Sequence, residues 1–97
     1  MHKRKLLIAE SSQELAGALA ELFRGSCQVC CCTDGDEAQQ LLSRFRPDVL
    51  ILDLMLPEFD GLSLLQWARE QEICPQVLAT SRFCNEYVVE TAQNLGV

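Results

Sequence analysis

The sequence predicts an α/β domain, a doubly wound parallel sheet with elements in the order βαβαβαβα. Three observations carry this expectation. Short continuous apolar runs, "LLIA" at 6–9 and "VLIL" at 49–52, have the length and composition of strands covered on both faces. Between the runs lie segments whose apolar residues recur three and four positions apart, the period of a helix packed on one side. The alternation is strict, and right-handed crossovers then place helices on both faces of the sheet. The 97 residues, 48% of them hydrophobic, suffice for one core and are too few for two, so residues 1–97 are expected to form a single domain.

Each element has its own justification. After the first strand, "SSQE" reads as a capping box with Ser11 at the N-cap and Glu14 three residues on. Leu15, Leu19 and Leu22 then define a helical face, and Gly25 closes the helix. "CQVCCC" at 27–32 is the second strand. Asp34-Gly35-Asp36-Glu37 turns the chain into a second helix, whose face is Ala38, Leu41, Leu42 and Phe45. Pro47 stops that helix before the third strand, because the residue preceding a proline disfavours helical geometry. A loop from Asp53 to Gly61 leads to a third helix at 62–70. Pro75 introduces the fourth strand at 76–79, and a fourth helix at 85–95 aligns Val88, Ala92 and Leu95 before Gly96 caps it.

Composition removes several function classes. The net charge of −6, with Lys3-Arg4-Lys5 as the only basic cluster, provides no footprint for nucleic acid, so direct contact with DNA or RNA by this domain is not expected. The start "MHKRKLLIA" is cut off by Glu10 well short of a signal-peptide core, and no stretch approaches the roughly 20 apolar residues of a membrane span. A cytoplasmic location without membrane attachment is the expectation. Cys30, Cys31 and Cys32 are adjacent on a strand and project alternately to opposite faces, which suits free thiols better than disulfides. Cys27 and Cys30 form a C-x-x-C pair, but no second pair of ligands at metal spacing accompanies it.

In open α/β sheets the functional crevice lies beyond the carboxyl ends of the strands. Glu10, Asp53 and Thr80 fall at three such ends and are expected to converge on one pocket. The glycine-rich loop of a phosphate cradle is missing after the first strand, where Ala9-Glu10-Ser11-Ser12 stands instead.

These segments resemble the receiver domain of bacterial two-component response regulators, a chemotaxis-Y-like, flavodoxin-like fold. "DVLILDLMLPEFDGL" at 48–62 is similar to the phosphoacceptor segment, "PQVLATS" at 75–81 to the fourth strand with its switch hydroxyl, and "KLLIAES" at 5–11 in part to the first strand with its acidic pair. The resemblance implies that Asp53 receives a phosphoryl group from a sensor histidine kinase or a phosphotransfer protein. It implies Mg²⁺ held by Glu10, Asp53 and the backbone carbonyl of Met55, with Ser11 as a further, weaker ligand. Thr80 would be the switch hydroxyl, and Met55 and Arg82 would flank the phosphoryl group. Trp67 is expected to pack on its helix rather than to recognise a ligand.

Two departures stand out. Where the family has two adjacent acids, this chain has Glu10-Ser11, and a hydroxyl is a neutral ligand for a hard cation. The family also has a fifth strand carrying a lysine and a fifth helix, roughly 20 to 25 residues more at usual element lengths. The sequence is therefore expected to be a receiver truncated before its fifth strand, with the fourth strand an open edge. A homodimer through that edge is one expectation. An output domain elsewhere in the protein, of the DNA-binding and sporulation-initiation kind that "LATS" and "AQNLGV" resemble, is another. Two alternatives stand beside the phosphoacceptor: a pseudo-receiver that keeps the fold as an interaction module, and a flavodoxin-like cofactor binder.

Overall fold

The computed structural model describes residues 3–81 and 86–97. Four strands and four helices alternate: β1 (Arg4–Ala9), α1 (Gln13–Phe23), β2 (Cys27–Cys32), α2 (Gly35–Phe45), β3 (Val49–Asp53), α3 (Gly61–Glu70), β4 (Gln76–Thr80) and α4 (Glu86–Asn94). The strands form one parallel sheet in the order β2-β1-β3-β4. Strand order reverses between β1 and β3, whose register pairs Ala9 with Leu52 and so sets Glu10 beside Asp53.

Along the central strands β1 and β3 both sheet faces are apolar and covered. On one face Leu7, Leu50 and Leu52 pack with Ala38 and Leu42 of α2 and with Leu64, Leu65 and Ala68 of α3. Val88 and Leu95 of the α4 region join that cluster. On the other face Leu6, Ile8 and Ile51 meet Ala16 and Ala20 of α1. Gly96 ends α4 at φ 89°, where the missing Cβ matters, and the Val97 amide reaches back to Ala92 O at 3.1 Å.

The first helix corrects two expectations. Ser12, not Ser11, is its N-cap, with its hydroxyl accepting from Leu15 N at 3.2 Å. Its buried face is Ala16, Leu19, Ala20 and Phe23, while Leu15 and Leu22 are 46% and 71% exposed. Small residues let the helix approach the strands closely. The expected start of the fourth helix at Asn85 lies outside the described residues. Cys27, Cys30, Cys31, Cys32 and Cys74 are free thiols, and burial, with Glu37 and Asp34 nearby, pushes the Cys32 thiol up to about 12. Among the described residues no helix is long and apolar enough to cross a membrane.

Candidate functional site

The site is assembled from strand ends. Asp53 is the last residue of β3, placed there by the run Val49–Asp53, and its register partner on β4 is Thr80. The Leu54 amide donates to Thr80 O at 2.9 Å, which fastens the start of the loop to the end of β4. Glu10 follows the last residue of β1, and its amide donates to Cys32 O at 3.0 Å. Glu10, Asp53 and Thr80 thus line one small cleft with Leu15 and Ser81, about 160 Å³ in volume.

Two carboxylates dominate it, Glu10 at 7% and Asp53 at 5% exposure, the only buried charged side chains among the described residues. Buried charge is tolerated where hydrogen bonds replace water. Asp53 Oδ1 accepts from Met55 N at 2.9 Å, and Oδ2 accepts from the Ser11 hydroxyl at 2.6 Å and the Ser11 amide at 3.2 Å. Glu10 Oε2 accepts from Ser12 N at 2.6 Å and lies 3.4 Å from the Ser11 hydroxyl. Burial pushes the Asp53 carboxyl up, but the bonds from Ser11 and Met55, with a smaller contribution from Glu10, outweigh it and hold the group below the usual carboxylate range.

The loop at 54–60 is held from outside. Gly35 N donates to Pro57 O at 2.9 Å, and a Cβ on Gly35 would lie 1.9 Å from Phe59 O. Gly61 has the same close fit, its missing Cβ 2.6 Å from the Leu54 Cα. Asp60 caps α3, accepting from Ser63 N at 3.0 Å. Met55 therefore occupies a fixed place, its amide on Asp53 and its side chain half exposed.

Of the residues singled out from the sequence, the fold brings Glu10, Ser11, Asp53, Met55 and Thr80 together, while Arg82 lies outside the described residues. Ser11, expected as a cap or a weak metal ligand, has its hydroxyl on Asp53 instead. Leu15 and Ser81 were missed. Ser81 follows Thr80 directly, and Leu15 receives its place from the Ser12 cap, three residues earlier.

Among the described residues no cluster of three or more His, Cys, Asp or Glu side chains is placed to hold a metal. The donors at the cleft are nevertheless all oxygen and include two carboxylates. Mg²⁺ is commonly bound through one or two carboxylates, with waters and phosphate oxygens completing its shell, so the residues present fit that ion.

A profile of the response regulator receiver domain family matches residues 6–97. The chain belongs to the response regulator receiver domain family. It is similar to the alkaline phosphatase synthesis transcriptional regulatory protein PhoP of Bacillus subtilis, 29% identical over 96% of this chain and 39% of that protein. It is also similar to protein-glutamate methylesterase/protein-glutamine glutaminase 3 of Syntrophomonas wolfei, 30% identical over 79% of this chain and 23% of that protein. The chain thus spans well under half the length of these two relatives. Among solved structures, the receiver domain of the Francisella response regulator 1452 matches with a TM-score of 0.84 and 28% identity over 94% of this chain and 77% of that one. The fold is the flavodoxin-like α/β fold of these domains.

Proposed function

We propose that this receiver domain accepts a phosphoryl group on Asp53 from a sensor histidine kinase or a phosphotransfer protein, and passes the change to an output domain or partner. The observation that carries the proposal is the buried, hydrogen-bonded Asp53 carboxylate at a strand end, beside Glu10 and register-paired with Thr80. A carboxylate is a poor nucleophile, so the catalytic contribution is positioning and charge neutralisation. An Asp53 oxygen attacks phosphorus, the P–N bond of the donor phosphohistidine breaks, and its electron pair leaves with the ring nitrogen. Glu10, Asp53 and the Met55 carbonyl would hold Mg²⁺, with Ser11 beside them. That ion would neutralise the phosphoryl oxygens in transfer. Thr80 would supply a hydroxyl to a phosphoryl oxygen, Met55 and Arg82 would flank it, and β4 and α4 would carry the switch.

Further parts of the proposal are a cytoplasmic location, no enzymatic role beyond self-catalysed phosphorylation and dephosphorylation, and further strand and helix partners for the open edge of β4. The two curated relatives are named for different activities, a transcriptional regulator and an esterase, so receiver likeness does not choose the output. A DNA-binding output domain is the choice we favour. The cofactor-binding alternative fits poorly, because a cleft of about 160 Å³ is too small to bury a flavin or nucleotide.

The test is incubation with acetyl phosphate and Mg²⁺, followed by borohydride reduction and mass mapping. Label on Asp53 that disappears in Asp53→Asn is expected; label that persists in Asp53→Asn would refute the assignment.

A further inference from the structure

The turn at Ser11-Ser12 directs three donors at the two buried carboxylates: the Ser11 amide, the Ser11 hydroxyl and the Ser12 amide. A serine hydroxyl carries one proton, so it can serve one carboxylate at a time. At 2.6 Å the contact with Asp53 Oδ2 has the length of an O–H···O⁻ bond, whereas Glu10 Oε2 stands 3.4 Å away. The Ser11 hydroxyl therefore donates its proton to Asp53 Oδ2. With the Ser11 amide also on Oδ2 at 3.2 Å, that oxygen takes two donors from a single residue, while Oδ1 accepts from the Met55 amide at 2.9 Å. Glu10 is satisfied separately by the Ser12 amide.

We propose that Ser11 is a positioning residue of the phosphoacceptor site: its hydroxyl and amide clamp Oδ2 of Asp53, orient the carboxylate without a cation, and compete with a divalent cation for that oxygen. The proposal rests on the phosphoacceptor assignment of Asp53. A carboxylate side chain at position 11 would add negative charge and attract the cation; the hydroxyl adds no charge, and its proton already takes up acceptor capacity of Oδ2 that a cation would otherwise use. A cation drawing on Oδ2 would have to compete with that hydrogen bond. Capping of α1 is not the hydroxyl's task, since Ser12 performs it.

Two measurements test the clamp, and neither reads phosphorylation. In EDTA, a double-mutant cycle of Ser11→Ala and Asp53→Ala by urea unfolding should be non-additive, with Ser11→Ala destabilising the wild type and nearly silent once Asp53 is gone. Additive costs would overturn the contact. In a Mg²⁺ titration followed by amide NMR shifts, Ser11→Ala should bind the ion roughly tenfold more tightly, one hydrogen bond's worth of lost competition. Ser11→Thr, which keeps the hydroxyl, should return the wild-type affinity. Unchanged affinity in Ser11→Ala would reduce Ser11 to a structural residue, and weaker affinity would make its oxygen a metal ligand; either result overturns the proposal. Absence of label on Asp53 with a coupled cycle and a shifted affinity would overturn the phosphoacceptor assignment and leave the clamp standing.

Discussion

Asp53 keeps its charge in a buried setting because donors from two separate segments of the chain converge on it, and this has a pH consequence. Its folded-state pKa lies below the ordinary carboxylate value of about 3.9. The unfolded chain therefore takes up the proton first as pH falls. The group's contribution to stability is fully present above about pH 4 and is lost as pH drops through the folded pKa. Urea unfolding of the metal-free protein between pH 7 and pH 3 should show this as a fall in midpoint that is shallower in Asp53→Asn; equal slopes would remove the claim. The sequence exposed this residue readily, since a carboxylate directly after a four-residue apolar run falls at a strand end in any α/β alternation. Ser11 was legible only as a cap or a weak ligand. Its hydrogen-bond partner lies 42 residues away, and local pattern carries no information about such a partner.

At the scale of elements, the loop at 54–60 and the start of α2 fit together through a missing side chain. In Gly35→Ala the new Cβ would meet Phe59 O at 1.9 Å and the Phe59 Cβ at 2.5 Å, and both α2 and the loop must move to admit it. A cost of about 1–3 kcal/mol is expected from such overpacking. The displaced loop carries Met55, so phosphorylation by acetyl phosphate should slow as well. Gly17 is the counterpart within α1, exposed and with nothing within 4 Å of its missing Cβ. Gly17→Ala should stabilise by about 0.5–1 kcal/mol through helix propensity alone. Thermal melts of both variants check the opposite signs. Element order and most boundaries were legible because apolar period and turn residues agree along the chain. The α1 face was not. Of Leu15, Leu19 and Leu22, which share the right spacing and the greater hydrophobicity, Leu19 packs on the sheet, but Leu15 and Leu22 stay exposed while Ala16 and Ala20 are buried beside it.

For the whole molecule, the order β2-β1-β3-β4 explains both the site and a liability. The reversal between β1 and β3 is what sets Glu10 against Asp53, and this could be anticipated from the alternation alone. The liability is β4. Among the described residues it pairs with β3 only, and α1 packs over β1 and β2, so the face of the sheet carrying Leu78 is left uncovered there. Leu78 shares its face with its register partner Ile51 and is 61% exposed. The strand "QVLAT" holds no charge and no proline, the devices that usually keep an edge from pairing with another chain. Residues 1–97 alone should therefore associate, with a sedimentation coefficient that rises with concentration. Leu78→Lys places a charge at the edge without touching the cleft, and should return the chain to a concentration-independent monomer with its Mg²⁺ response intact. A wild-type chain that sediments as a monomer across the range would show that Leu78 and the β4 edge are not sticky. Association that survives Leu78→Lys would place the contact elsewhere, with β2, the other edge of the sheet, the next to test.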